Sequence, residues 1–350
     1  MKTVSILSVQ PFGGKTFVSI GLLYRLRELG YNTGYIKPVG LTPQKIGDAI
    51  YDADAVLIKE LLSLEEPLSI ISPFVMTYET QGLLKDKIYN IKNSVRKALE
   101  AMKDKNIVII GGAGNIFTGS LFGVDSLSLL EEFNGLALIV EAFSGDASLD
   151  NIAGLSKILG KRLTGAVINK IPQNAIKYTM ENLKPLLEER GIKVFGLFPK
   201  DEILESLSVR DLVGLLNGKV LCGENRLDEL VEHFTVGAMD VDSALKYFMR
   251  IPNKAVITGA HRSDIQLAAM ETSTKVIILT GGTYPNDVVI AKALSKGIPL
   301  ISVEYDTFTT VDKIEFMRGK TRIREPLKIK RLKEIFERDF DINSFLEAIK

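Results

Sequence analysis

Cysteine, histidine and tryptophan are almost missing from these 350 residues: there is one cysteine (Cys222), two histidines (His233 and His261) and no tryptophan. A lone cysteine cannot close an internal disulfide and reads as a small buried side chain in a reducing compartment. Two histidines leave little room for a histidine-based metal site. No apolar run is long enough to span a bilayer, so no membrane partner is expected. The first residues lack a basic stretch followed by an uninterrupted apolar run and a cleavage site, which points to a cytoplasmic protein. Neither charge sign dominates. The formal net charge is +1, which argues against a dedicated nucleic-acid binder. What remains is the composition of a soluble globular protein, 46% hydrophobic and 25% charged, long enough for two domains of ordinary size.

The most informative stretch that is present runs from Ile6 to Thr16, Ile-Leu-Ser-Val-Gln-Pro-Phe-Gly-Gly-Lys-Thr. A short apolar strand (Val4 to Leu7) enters a turn, and Gly13-Gly14-Lys15-Thr16 opens an apolar, helix-like segment, Phe17 to Leu26. Such a turn suits a polyphosphate: glycines let backbone amides close around it, the lysine adds a point charge, and the threonine hydroxyl reaches Mg²⁺. The spacing G-x-x-x-x-G-K-[ST] asks for glycine at position 9, where this chain has Val9. A glycine-rich turn with a solvated lysine is the plain alternative. So is a loop that binds phosphate and does no chemistry.

Over the first two hundred residues short apolar runs alternate with amphipathic segments, the pattern of a parallel sheet covered by helices. Strands are expected at Val4–Leu7, Thr33–Tyr35, Ile107–Ile110, Leu136–Val140, Gly165–Ile168 and Val194–Leu197, with a helix over Lys85–Lys103. From about Ser208 a second, smaller α/β domain is expected, with a helix near Val241–Phe248 and a helical stretch at Ile265–Ala269. Its strands are expected at Ala255–Thr258, Val276–Leu279 and Leu300–Val303. The division expected is therefore 1–205, 206–318, and a charged, solvated helical tail over 319–350.

In order along the chain stand Gln10-Pro-Phe-Gly-Gly-Lys-Thr16, Gly34-Tyr-Ile-Lys-Pro-Val-Gly40, Asp52-Ala-Asp-Ala55, Gly112-Ala-Gly114, Ile168-Asn-Lys-Ile-Pro172 and Gly196-Leu-Phe-Pro199. Val236-Gly-Ala-Met239, Ile257-Thr-Gly259, Arg262 and Ile278-Leu-Thr-Gly-Gly282 follow. This ordered set resembles dethiobiotin synthetase-like P-loop proteins and, more closely, the N-terminal region of long bacterial phosphotransacetylases, where such a domain precedes a DRTGG domain. The resemblance implies a P-loop NTPase-type, mostly parallel sheet with helices on both faces, followed by a smaller α/β DRTGG domain. The acetyltransferase domain of the long enzymes has no counterpart in these 350 residues, so acetyl transfer is not expected of them.

The resemblance implies ATP or ADP with Mg²⁺ as ligands, held by Gly13, Gly14, Lys15, Thr16, Lys37 and Asn169, with Asn169 reading the adenine edge. Thr16 and Asp54 would hold the metal, and Lys15 and Lys37 would be the catalytic cations of an active enzyme. A homodimer is also implied. Two departures count against turnover. The glutamate that helps hold Mg²⁺ in Glu-Gly-Ala-Gly is replaced by Gly111, and the substrate-binding serine after Lys-Pro-Val is absent, with Leu41 at or near it. The partitioning ATPases of this superfamily carry a lysine where this chain has Gln10, so a role of that kind is not expected.

In the second domain Thr258, Gly259, Thr280, Gly281 and Gly282 lie at strand ends, where free amides can form an anion-binding nest. Arg262 and Asp264 would then fix a small anionic metabolite; tight turns with an arginine paired to a local carboxylate are the alternative. The expected function is a nucleotide-binding metabolic sensor or regulator with weak or absent ATPase activity. An ATP-dependent carboxylate-activating ligase or kinase, and a scaffold without nucleotide affinity, remain alternatives.

Overall fold

A computed structural model describes residues 1–77, 86–318 and 323–350. The chain divides into two compact units, residues 1–200 with 329–350, and residues 201–328.

The first unit is built on a six-stranded sheet of β1 (Lys2–Leu7), β2 (Thr33–Ile36), β5 (Ile107–Gly111), β6 (Leu136–Ala142), β7 (Leu163–Ile171) and β8 (Val194–Pro199). Their order is β2-β5-β1-β6-β7-β8, and every pairing is parallel. Parallel strands are covered on both faces, which is why they read in the sequence as continuous apolar runs. Val4, Ile6, Val108, Ile109, Leu138 and Ile139 are all fully buried. The order reverses at β1, whose two neighbours β5 and β6 both come much later in the chain. An open α/β sheet has its ligand crevice at such a switch point, beyond the carboxyl ends of the strands. Helix α1 (Lys15–Glu28) starts there, and β2 leads through a small antiparallel hairpin, β3 (Pro43–Ile46) and β4 (Ala49–Asp52), into helix α2 (Ala53–Leu62). The helix expected over Lys85–Lys103 runs over Asp86–Glu100, and Lys85 lies outside the described residues.

The C-terminal segment differs from the solvated tail expected of it. Residues 319–322 lie outside the described residues, but the helices Pro326–Asp339 and Ile342–Ala348, with Phe340 between them, bring Phe336, Phe340 and Phe345 into the first unit's core. Phe336 stacks on Phe198 at 5.5 Å and on Phe340 at 4.5 Å between ring centroids, and Phe345 meets Phe195 edge-on at 5.7 Å. The charges of this stretch decorate an outer face, while an apolar stripe at helical spacing supplies the packing. Residues 329–350 thus close the first domain.

The second unit holds a five-stranded sheet whose spatial order is Lys219–Cys222, Leu300–Val303, Thr274–Thr280, Lys254–Gly259, His233–Val236. The last four are parallel; Lys219–Cys222 is antiparallel to its neighbour. Alternate residues of the same strands feed two cores. Val256, Ile277 and Leu279 pack with Phe248, Ile265 and Val289, whereas Ala255, Ile257 and Ile278 pack with Leu212 and Ile314. The period of two puts each set on its own face. Among the described residues no helix is long and apolar enough to cross a membrane.

Candidate functional site

At the carboxyl end of β1 the chain turns through residues 8–14 into α1. Gly14 is the N-cap residue, in the left-handed region at φ 105°, and a β-carbon there would lie 1.9 Å from the Asn169 side-chain nitrogen. Only glycine meets both demands. The start of α1 has no side-chain cap, and no acidic residue stands in its first turn. By contrast Asp52 caps α2, accepting from the Asp54 and Ala55 amides. A helix start leaves amide donors without intrahelical partners and carries the positive end of the dipole, so an uncapped start suits an anion.

Lys15 rises from the first turn and donates to the Gly114 carbonyl at 2.8 Å, beyond the end of β5. Burial, and then the nearby Lys37 ammonium, push its pKa down to about 8, against the opposing pull of Glu141 and Asp54. Thr16 donates its hydroxyl to Asp54 Oδ2 at 3.0 Å. Lys37, at the end of β2, places its ammonium 2.6 Å from the same Asp54 oxygen and 3.2 Å from Asp52 Oδ1. Burial alone would lower the Lys37 pKa, but the Asp54 and Asp52 carboxylates outweigh it and hold it above the ordinary lysine value. Asn169, at the end of β7, is buried and donates its side-chain amide to the Gly13 carbonyl at 3.0 Å. Gly13, Gly14, Lys15, Thr16, Lys37, Asp54 and Asn169 therefore converge on one crevice from three strand ends and two helix starts. One donor of Asn169, expected to read a base, anchors the loop.

Two residues of the crevice had not been singled out in the sequence. Asp52 is fully buried and, besides capping α2, accepts from the Leu41 and Thr42 amides at 2.9 and 3.1 Å and from the Thr42 hydroxyl at 3.0 Å. It fixes the loop that follows Lys37. Glu141, at the end of β6, is 2% exposed. Its Oε1 accepts from the Asn151 side chain at 2.8 Å, and its Oε2 has no donor in hydrogen-bond geometry among the described residues. Burial pushes its pKa up, opposed by the Asn151 bond, the nearby Val9 amide and the Lys15 charge. A charged residue breaking the apolar run Leu138-Ile-Val-Glu-Ala142 was the available signal.

Position 111, where the resemblance implies a metal carboxylate, is crowded. A β-carbon at Gly111 would lie 2.2 Å from the Tyr35 hydroxyl, so the buried Tyr35 takes the volume a side chain there would need. Burial, then Asp54 and Asp52, hold the Tyr35 phenol well above its ordinary pKa. Of the two residues expected to hold Mg²⁺, the Thr16 hydroxyl donates to Asp54 Oδ2, and that same oxygen takes the Lys37 ammonium. Mg²⁺ asks for near-octahedral oxygen ligands. As placed, Thr16 and Lys37 both engage the Asp54 oxygen that such a metal would need.

The second unit corrects the expected nest. The Gly281 amide donates to the Tyr305 carbonyl at 3.0 Å and the Gly282 amide to the Val303 carbonyl at 2.9 Å, so neither is available to an anion. The Thr258 hydroxyl donates to the Gly237 carbonyl at 3.1 Å, and the Thr280 hydroxyl pairs with that of Thr307 at 3.0 Å. Arg262 forms a two-pronged pair with Asp264, both bonds at 3.0 Å, and also donates to the Met239 carbonyl. Gly259, beyond its strand, accepts from Gln266 at 2.9 Å. These groups close turns among themselves.

Compared with known families, residues 2–208 match an AAA domain family and residues 211–317 match the DRTGG domain. A phosphate acetyltransferase of Synechocystis sp. is 22% identical over 355 residues, covering 96% of this chain and 50% of that protein. An ATP-dependent dethiobiotin synthetase of Clostridium perfringens is 27% identical over 229 residues, covering 62% of this chain and 99% of that enzyme. The chain thus spans half the length of the acetyltransferase. Among solved structures, the CBS and DRTGG domains of the regulatory region of Clostridium perfringens pyrophosphatase, complexed with diadenosine tetraphosphate, are 19% identical. That match covers 43% of this chain and 72% of the other, with a TM-score of 0.29.

Proposed function

The chain belongs to this AAA domain family, and we propose that its first unit binds ATP or ADP at Gly13–Thr16 in a regulatory role, with weak or absent ATPase activity. The observation that carries the reading is the pairing of an uncapped α1 start, with Gly14 and Lys15 in place, and a glycine at position 111 where Tyr35 leaves no room for a carboxylate. The first half provides for holding a polyanion. The second removes charge that a transition state would use. Phosphoryl transfer depends mostly on positioning and electrostatic neutralisation. Loss of one preorganised group costs on the order of a hundredfold in rate. The matched synthetase is ATP-dependent by name, which supports ATP as the first nucleotide to test.

Lys15 would face the terminal phosphates, and Asn169 would hold the loop open for them through Gly13. The DRTGG unit would couple nucleotide occupancy to a second input, whose donors are not those expected from the sequence. Isothermal titration of the intact protein with ATP tests this reading. Saturable binding that Lys15→Ala weakens by tenfold or more is expected, since a charge-assisted contact contributes about 1.5–3 kcal/mol. No binding, or binding indifferent to Lys15→Ala, would refute it. Steady ADP release near one per second, stimulated by a small carboxylate, would favour a ligase or kinase instead.

A further inference from the structure

We propose that the Lys37 ammonium serves as a tethered cation at the place where Asp54 and Thr16 would otherwise hold Mg²⁺, so that this loop takes its nucleotide without a divalent ion. The inference rests on the nucleotide reading above and deepens it.

Three observations lead there. Lys37 Nζ lies 2.6 Å from Asp54 Oδ2, the oxygen that also accepts the Thr16 hydroxyl at 3.0 Å, so the ammonium occupies the approach a metal would use. The position is fixed: Lys37 is 7% exposed, and its second carboxylate partner, Asp52, is completely buried and held by the backbone of the loop after Lys37. At Gly111, the third direction from which a metal ligand could come, the Tyr35 hydroxyl fills the volume.

Charge points the same way. Asp52 and Asp54 bring two negative charges and Lys37 one positive, so the ammonium already offsets half of the cluster's negative charge. A dication bound to Asp54 would sit against an ammonium in a poorly solvated site, where like charges are weakly screened. Displacing Lys37 from Asp54 would break its shorter ion pair and leave the buried ammonium with Asp52 as its carboxylate partner, at a cost in uncompensated desolvation. An ammonium placed here can instead neutralise phosphate oxygens directly, as a compact point charge with three donors. Lys37 is near enough to disfavour the charge on Lys15, and a polyphosphate between them would relieve that repulsion.

The test is the ATP affinity of the intact wild-type protein in excess EDTA and in excess Mg²⁺. Affinities agreeing within about threefold are expected, a difference of less than 1 kcal/mol. Binding weaker by tenfold or more in EDTA overturns the inference and leaves the nucleotide reading standing. Absence of binding under both conditions overturns the nucleotide reading itself, and this inference with it. Lys37→Gln supplies a second arm. Without the ammonium, binding in EDTA should weaken by about tenfold or more, and Mg²⁺ should now restore it by entering beside Asp54. A variant that binds equally well in EDTA, or that Mg²⁺ leaves unchanged, also overturns the inference. If Lys37→Gln does not fold, the wild-type comparison alone decides.

Discussion

The side-chain nitrogen of Asn169 donates to the Gly13 carbonyl at 3.0 Å and stands 1.9 Å from where a β-carbon on Gly14 would lie. One amide therefore fixes the loop and forbids any larger residue at its hinge. Gly14→Ala should lower stability by roughly 2 kcal/mol or more, combining a left-handed backbone angle with a steric clash. Asn169→Ala removes the clash but not the backbone strain. A double-mutant cycle followed by urea denaturation should show a coupling of about 1 kcal/mol between the two positions; simple additivity would mean the contact is not made.

Lys15 gives the site a pH signature. Its pKa is about 8 in the unliganded protein, and a bound polyphosphate raises it. ATP affinity should be flat below pH 8 and fall above it, by up to about tenfold per pH unit until the bound-state pKa is reached. Titrations at pH 8 in buffers of different ionisation enthalpy should show proton uptake on binding. Affinity unchanged up to pH 9 would contradict the assignment of Lys15 to the phosphates.

Glu141 opposes both folding and anion binding. Its pKa is raised by burial, so the native state keeps its proton longer than the unfolded chain. The sign follows: the contribution of Glu141 to stability is greatest below the ordinary carboxylate range and declines as pH rises through the raised value. Glu141→Gln should melt higher than wild type at neutral pH, with the gap narrowing towards pH 4. It should also bind ATP more tightly at pH 7, by roughly threefold to tenfold, since a carboxylate beside Lys15 repels phosphate. Weaker binding would mean that the carboxylate acts by holding Lys15 in place.

Phe336 tests the domain boundary. Stacked between Phe198 and Phe340 and fully buried, it should cost about 3–5 kcal/mol on truncation to alanine. The loss should appear in the unfolding of residues 1–200, followed by hydrogen exchange of β1 and β7. Protection there unchanged by Phe336→Ala would restore the view of a solvated tail.

Much of this was legible in the chain, and the exceptions have physical reasons. Strands buried on both faces announce themselves as apolar runs, so β1, β5, β6 and β7 stand close to where periodicity puts them. Gly13-Gly14-Lys15-Thr16 was readable because strand, turn and helix start are adjacent in sequence. The Lys37–Asp54 contact spans 17 residues and the Asn169–Gly13 contact 156, and no local pattern encodes either. Here a family resemblance supplied what spacing could not. Strand-end position was the less reliable guide: at Gly281 and Gly282 the residues suit a nest, but only the fold shows their amides committed to Tyr305 and Val303. The hairpin Pro43–Asp52 went unnoticed because its strands are short and largely exposed, which leaves little hydrophobic alternation to detect.

The central claim is that backbone amides at the start of α1 grip a polyphosphate. Amide hydrogen exchange of the intact protein, read by mass spectrometry over the segment Ser8–Phe17 with and without saturating ATP, tests it most directly. The account expects exchange in that segment to slow on ATP addition, and Lys15→Ala to abolish the slowing. Unaltered exchange there at saturation, or protection confined to other segments, would contradict it.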